Sequence, residues 1–87
     1  MATAVVLHRV ADYGAWRQVY DSVADLQKSG GVVAESVYRM ADDPDNVLVI
    51  HEFATLDEAR AFFTAPELRD AMRRAGVQGQ PRIELYE

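Results

Sequence analysis

Residues 47–53, with the sequence Val-Leu-Val-Ile-His-Glu-Phe, constrain the fold more than any other stretch of the chain. A β-strand turns alternate side chains to opposite faces of its sheet. Here both faces are apolar, with Val47, Val49 and Phe53 on one and Leu48 and Ile50 on the other. Helices cover only one face of the sheet in a small two-layer domain, so the second apolar face needs another sheet. An 87-residue chain has no room for that sheet, and we expect a second copy of the chain to supply it.

Composition restricts the class of protein and its partners. Hydrophobic residues make up 49% of the chain, which predicts one globular domain over residues 1–87. The net charge of −5 disfavours a nucleic acid or an anionic membrane as the main partner. The chain has no cysteine, so disulfides and thiolate chemistry are excluded. With no secretion signal and no apolar run of about 20 residues, we expect a cytoplasmic protein.

Apolar spacing divides the chain into two halves of similar length. Asp12 and Thr55 are predicted to cap helices, and the glycines at 30–31 end the first helix. Residues 42–46, Asp-Asp-Pro-Asp-Asn, predict the turn of a hairpin. The predicted strands cover residues 3–10, 32–40, 47–54 and 81–87, and the predicted helices cover residues 13–28, 56–64 and 66–75.

The order strand–helix–strand, repeated twice, predicts an α+β protein with the ferredoxin-like βαββαβ arrangement. This arrangement contains one four-stranded antiparallel sheet with helices on one face and the strand order 4-1-3-2. The third strand is then central, between the first and second strands. We expect its outer face, opposite the helices, to meet the same face of a second copy.

The two histidines of the chain, His8 and His51, lie on the two predicted central strands. If His8 pairs near Val49, the two imidazoles are diagonal neighbours on the helix-covered face. Either could act as a general base, with Tyr38 or Ser36 holding a carbonyl or phenolate. Both histidines could instead be structural, hydrogen-bonded to the backbone. The remaining candidate pocket residues are apolar or aromatic: Trp16, Tyr20, Val49, Phe53, Phe62 and Met72.

A metal or cofactor site is not expected. His8, His51 and a carboxylate could ligate zinc or iron. However, Glu52 follows His51 in the strand and therefore points to the opposite face. If that face meets a second copy, Glu52 needs a counter-ion, and Arg9 or Arg39 could provide one within the subunit or across the dimer. The chain also has no glycine-rich phosphate loop, so we predict no cofactor.

Two segments resemble the dimeric α/β-barrel superfamily, in particular small antibiotic-biosynthesis monooxygenase-like and polyketide-cyclase-like proteins. They are residues 49–62, Val-Ile-His-Glu-Phe-Ala-Thr-Leu-Asp-Glu-Ala-Arg-Ala-Phe, and residues 65–72, Ala-Pro-Glu-Leu-Arg-Asp-Ala-Met. The resemblance implies a homodimer whose two sheets close into a barrel. It also implies a small aromatic or polyketide-like ligand between each sheet and its own helices.

The chain departs from two branches of that superfamily. Haem-degrading members carry asparagine, tryptophan and histidine where this sequence has His8, Phe53 and Met72. Oxygenase members similarly favour asparagine and tryptophan near the first and third strands. Haem degradation is therefore not expected, and any proton abstraction would fall to His8 or His51.

Two functions are consistent with these patterns. One is a cofactor-independent enzyme that removes a proton from a flat phenolic or enolic substrate, leading to oxygenation or cyclisation. The other is a non-catalytic dimer that binds a ligand, assists a pathway or responds to stress.

Overall fold

A computed structural model describes residues 1–87 and has four strands and four helices. The strands form one antiparallel sheet in the order β2-β3-β1-β4, and the helices lie on one face of it. The predicted α+β class, ferredoxin-like arrangement and strand order are thus confirmed. The elements along the chain are β1 (Ala2–Val10), α1 (Tyr13–Ser22), α2 (Ala24–Ser29), β2 (Val32–Met40), β3 (Asp43–Phe53), α3 (Leu56–Thr64), α4 (Pro66–Arg74) and β4 (Val77–Tyr86).

The first helical segment is broken, whereas the sequence predicted one helix over residues 13–28. Val23 leaves helical geometry, with φ −104° and ψ 24°, and separates α1 from α2. Just before the break, the Ser22 hydroxyl donates to the carbonyl of Val19 at 2.7 Å, which competes with regular helix bonding. At the break the Tyr20 carbonyl accepts hydrogen bonds from the backbone N–H of Val23 at 3.4 Å and from the Gln27 side chain at 3.2 Å.

The other predicted helix boundaries agree with the structure. The Asp12 carboxylate accepts from the backbone N–H of Ala15 at 2.9 Å, and the Thr55 hydroxyl accepts from that of Glu58 at 3.2 Å. Ala65 is extended, with ψ 132°, so α3 ends there and Pro66 begins α4. None of the helices is long and apolar enough to cross a membrane.

The third and fourth strands are longer than predicted. β3 starts at Asp43, which pairs with Met40, so the hairpin turn is shorter than the predicted turn over residues 42–46. β4 starts at Val77 and contains Pro81, which an edge strand tolerates. Pairing between β4 and β1 is irregular near Leu7 and Arg9, next to Gly79 with φ +68°.

The sheet has one covered face and one open face. The covered face carries the even-numbered residues of β1 and the odd-numbered residues of β3 from Val47 to Phe53, which are buried under the helices. The open face carries a set of apolar side chains that are half-buried or exposed: Val5, Leu7, Tyr38, Leu48, Ile50 and Tyr86. The two-sided apolar character predicted for residues 47–53 is therefore present in the structure.

Candidate functional site

A small cavity lies between the covered face of the sheet and the helices. Its volume is about 50 Å³, and 12 of the 15 residues that line it are hydrophobic. That volume holds one or two water molecules. Seven of the residues predicted for the site line the cavity: His8, Trp16, Tyr20, Val49, His51, Phe62 and Met72.

Phe53 was also predicted to line the pocket, but it lies behind it. Its side chain is completely buried and contacts the ring of His51 edge-on, with the ring centroids 6.4 Å apart. Phe53 therefore supports the orientation of His51 and has no surface on the cavity.

The predicted position of Tyr38 and Ser36 is wrong. Ser36 pairs with Ile50 and Tyr38 pairs with Leu48, so both belong to the open face. The Tyr38 side chain is 56% exposed there. The reason is that β2 is an edge strand with polar residues on both faces, so its alternation does not indicate which face is inward. The residue of β2 opposite His51 is Glu35, which no pattern in the sequence indicated as a site residue.

The two histidines are farther apart than predicted. His8 pairs with Val47, and His51 pairs with Ala4. Four residues of strand separate Ala4 from His8, which is about 13 Å along the sheet. The imidazoles are therefore not diagonal neighbours, and they mark two ends of the cavity.

At one end of the cavity, three polar side chains form a hydrogen-bonded chain. The Tyr20 hydroxyl donates to Oε1 of Glu35 at 2.5 Å and lies 2.9 Å from Nε2 of His51. Tyr20 and His51 are buried, whereas Glu35 is exposed. The chain of hydrogen bonds thus leads from solvent to the cavity.

At the other end, His8 packs against Trp16 with the ring centroids 5.5 Å apart. Trp16 also stacks on Tyr20, with a centroid distance of 4.8 Å and an interplanar angle of 24°. The indole therefore covers the span between the two ends and provides a flat apolar wall.

Burial determines the protonation of these groups. It lowers the pKa of His8 to about 4. It also lowers the pKa of His51, although the negative charge of Glu35 acts in the opposite direction. Burial and the hydrogen bond to Glu35 raise the pKa of Tyr20. At pH 7 both imidazoles are neutral and the phenol keeps its proton.

Three ring nitrogens are buried without a hydrogen-bond partner: Nδ1 and Nε2 of His8, and Nδ1 of His51. A buried polar atom that lacks a partner costs about 1–3 kcal/mol. Both rings line the cavity, but protein atoms cover the three nitrogens themselves. A water molecule or a polar group of a ligand therefore reaches them only when neighbouring side chains move.

The predicted counter-ions of Glu52 have other partners. Arg9 forms an ion pair with Asp43. Arg39 donates to the carbonyl of Pro44 at 3.0 Å, and its guanidinium lies 4.0 Å from the centre of the Tyr13 ring. No ion pair within the chain therefore involves Glu52. Histidine and acidic side chains do not gather anywhere in groups of three or more that could hold a metal ion.

No protein-family model and no curated protein matches the chain. Its fold does match solved structures. A candidate antibiotic biosynthesis monooxygenase from Bordetella bronchiseptica has a TM-score of 0.84 at 10% identity, over 99% of this chain and 94% of that one. SnoaB, a cofactor-independent oxygenase from Streptomyces nogalater, has a TM-score of 0.80 at 17% identity, over 99% and 90%.

A further candidate antibiotic biosynthesis monooxygenase, from Deinococcus radiodurans, has a TM-score of 0.76 at 17% identity, over 100% of this chain and 91% of that one. Identities this low establish a common fold and leave the chemistry to be argued from the site. The chain therefore has the ferredoxin-like fold of antibiotic biosynthesis monooxygenase-like structures, which is the resemblance that its sequence predicted.

Proposed function

We propose that this protein is a cofactor-independent enzyme that removes a proton from a flat phenolic or enolic substrate held between the sheet and the helices. The observation that carries the proposal is Nδ1 of His51, a buried nitrogen without a partner on a neutral ring that lines an apolar cavity. A neutral imidazole with a free lone pair is a competent general base.

His51 suits the role of base better than His8. The negative charge of Glu35 favours the protonated form of His51, whereas no nearby charge opposes the lowering of the His8 pKa to about 4. His8 is instead suited to hydrogen bonding, because its neutral ring offers one donor and one acceptor to a substrate carbonyl or hydroxyl. His8 would therefore have the substrate-binding role that the sequence predicted for Tyr38 and Ser36, which lie on the open face.

The aromatic walls of the cavity favour a flat ligand. Trp16 and Tyr20 stack on one side, and Phe63 lies nearly parallel to His51, with an interplanar angle of 26°. Aromatic faces contribute large apolar contact areas and favour offset stacking with another ring. The distance of about 13 Å between the histidine positions fits a ligand of two or three fused rings.

Such a ligand requires the cavity to expand. Small-molecule pockets typically occupy about 300–1,000 Å³, against about 50 Å³ here. Phe63, Leu68 and Met72 line both this cavity and an outer groove of about 390 Å³ between α4 and β4. Movement of these three side chains would join the two spaces, and methionine is flexible enough to allow it.

The proposed reaction begins when Nδ1 of His51 takes a proton from a C–H that is adjacent to or conjugated with a carbonyl, which leaves an enolate and an imidazolium. In the oxygenation route the enolate attacks dioxygen, and the resulting hydroperoxide loses water. A CH₂ group and O₂ are converted into a C=O group and H₂O, so dioxygen is the only oxidant required. In the cyclisation route the enolate attacks a carbonyl of the same substrate. The likeness to a cofactor-independent oxygenase supports the first route.

The proposal includes a homodimer formed through the open face. Leu48, Ile50 and Tyr38 belong to this apolar surface, which the chain's own helices leave uncovered. Leu48→Asp is expected to convert a dimer into a monomer of 9.7 kDa in analytical ultracentrifugation, because it places a charge in the interface. Arg60→Asp, at an exposed position of α3, is the matched control and should leave the dimer intact. A monomeric native protein would contradict the dimer.

The small cavity favours a second candidate function, a non-catalytic dimer that binds a ligand or assists another protein. A volume of about 50 Å³ resembles a filled core with a packing gap. Under this alternative both histidines are structural, and any ligand that enters leaves unchanged.

Anthrone, a tricyclic ketone with an acidic methylene group, distinguishes the two candidates. The enzyme is expected to consume O₂ and to place one ¹⁸O atom from ¹⁸O₂ in the ketone product. His51→Gln should lower kcat by about 10²–10⁴-fold, the usual contribution of a general base, with unchanged circular dichroism. Binding of anthrone and its hydroxylated analogues without turnover would favour the second candidate. Equal turnover by the His51→Gln variant would contradict the role of His51.

A further inference from the structure

The Tyr20 side chain forms a partition between two spaces of different character. On one side is the apolar cavity, and on the other is a polar cleft of about 420 Å³ between α1 and β2 that contains Glu35. Tyr20 and Gln27 line both spaces. The phenolic hydroxyl is therefore the link between an exposed carboxylate and a buried imidazole.

The hydrogen bonds of this link determine where each proton lies. A carboxylate can only accept, so the Tyr20 hydroxyl uses its single proton in the 2.5 Å bond to Glu35. The Tyr20 oxygen must then accept in the 2.9 Å contact with Nε2 of His51. Nε2 therefore carries a hydrogen. A neutral imidazole has only one N–H, so Nδ1 is left with a free lone pair.

We propose that Glu35, acting through Tyr20, is a positioning residue that fixes the proton of neutral His51 on Nε2 and thereby keeps Nδ1 available as the base. Glu35 does not line the cavity, and its hydrogen-bonded connection to His51 passes through the phenol of Tyr20. The catalytic part of this inference rests on the proposed function, whereas the assignment of the tautomer does not.

The same arrangement stabilises the charge that forms during proton abstraction. When Nδ1 takes a proton from the substrate, the imidazolium still donates from Nε2 to Tyr20, and Tyr20 still donates to the negative Glu35. The positive charge is thus opposed by a carboxylate one residue away in the hydrogen-bonded chain. The proton returns from Nδ1 to the product or to the leaving water, which restores the starting tautomer.

The other charged groups near these three residues make no hydrogen bond to His51. From α1, the Arg17 guanidinium lies 5.3 Å from the centre of the Tyr20 ring and pairs with Asp21 at 3.1 Å. From α3, the side chains that contact the ring are Phe62 and Phe63. Glu35 is thus the one charged group with a hydrogen-bonded connection to His51.

Long-range ¹H–¹⁵N correlation NMR of the ligand-free, ¹⁵N-labelled protein at pH 7 tests the assignment of the tautomer. The native spectrum should show a protonated Nε2 and an unprotonated Nδ1 for His51. Glu35→Leu removes the acceptor, so the phenol should donate to Nε2 and move the His51 proton to Nδ1. Glu52→Leu is the matched control, since it removes the glutamate next to His51 in β3 but on the opposite face. It should leave the native tautomer unchanged.

A native protein with the proton on Nδ1, or an unchanged tautomer in Glu35→Leu, would overturn the inference. Kinetics with anthrone then separates the two proposals. If the tautomer moves in Glu35→Leu, kcat should fall at least about tenfold, as expected when a proton-transfer group is disabled, with KM nearly unchanged. A moved tautomer with unchanged kcat would overturn the catalytic role of Glu35 alone. A moved tautomer in a protein without turnover would leave the structural assignment correct and contradict the proposed function.

Discussion

The two ends of the cavity contain the same side chain in different surroundings. His51 is hydrogen-bonded through Tyr20 to the exposed Glu35, whereas His8 has no hydrogen-bond partner on either ring nitrogen. Both rings are buried, and burial lowers the pKa of both. The difference shows that burial alone favours a neutral histidine, whereas a connected carboxylate favours the protonated form of the ring. Under the inference drawn above, the carboxylate also fixes which ring nitrogen carries the proton.

The largest expected effect on stability concerns the His8 end of the cavity at acid pH. The pKa of His8 is about 4 in the folded protein and 6.5 for an ordinary histidine. Between these values the unfolded chain binds more protons, so the free energy of unfolding falls as the pH drops from 6.5 towards 4. The stabilisation is fully present above pH 6.5, and its loss amounts to about 3 kcal/mol for His8.

Urea denaturation at a series of pH values measures this loss. His8→Leu removes the titrating group, so its stability should depend less steeply on pH over this interval than that of the native protein. Identical pH dependence in both proteins would contradict the neutral, buried state assigned to His8.

A smaller effect, on the KM of the proposed reaction, should separate substrate binding from the chemical step. His8→Gln removes an imidazole that we expect to hydrogen-bond the substrate, so KM for anthrone should rise about tenfold, as for the loss of one hydrogen bond. Because Nδ1 of His51 is untouched, kcat should stay within about twofold. Steady-state kinetics of His8→Gln beside His51→Gln provides the comparison. The assigned roles are reversed if His8→Gln loses kcat and His51→Gln loses only affinity.

The smallest effect on stability and turnover is expected for a substitution outside the cavity. Tyr38→Phe removes a hydroxyl from the open face, where the side chain is 56% exposed. Surface changes of this kind usually alter stability by less than about 0.5 kcal/mol, and turnover should be unchanged. Thermal unfolding and anthrone kinetics measure both. A large loss of kcat in Tyr38→Phe would restore Tyr38 as a site residue and contradict the β2–β3 register.

The sequence predicted the central strands well because the alternation of their side chains shows which residues face the helices. Alternation in β3 places Val47, Val49 and His51 on one face, and the structure buries all three. A strand with apolar side chains on both faces belongs in the centre of the sheet, because both of its faces need cover. The β1–β3 register differed from the prediction by two residues, because the sequence contains no signal that fixes the pairing of strands distant in the chain.

The edge strand and the helix break could not be predicted in the same way. In β2, Glu35 and Tyr38 lie on opposite faces, and neither face is apolar enough to identify the inner one. In the first helical segment, the apolar stripe continues through Val23, although the backbone leaves helical geometry there. Tertiary contacts and local side-chain hydrogen bonds determine the inner face of β2 and the site of the helix break. The periodicity of apolar residues carries no information about these contacts.

Two sets of secondary-structure elements form the walls of the cavity, and we assign them different roles. Phe63, Leu68 and Met72, between the cavity and the outer groove, belong to α3 and α4. The hydrogen-bonded chain belongs to α1, β2 and β3. Under the proposed function, evolution or protein engineering could therefore diversify the α3–α4 half to admit molecules of other shapes and sizes while the three hydrogen-bonded residues stay unaltered.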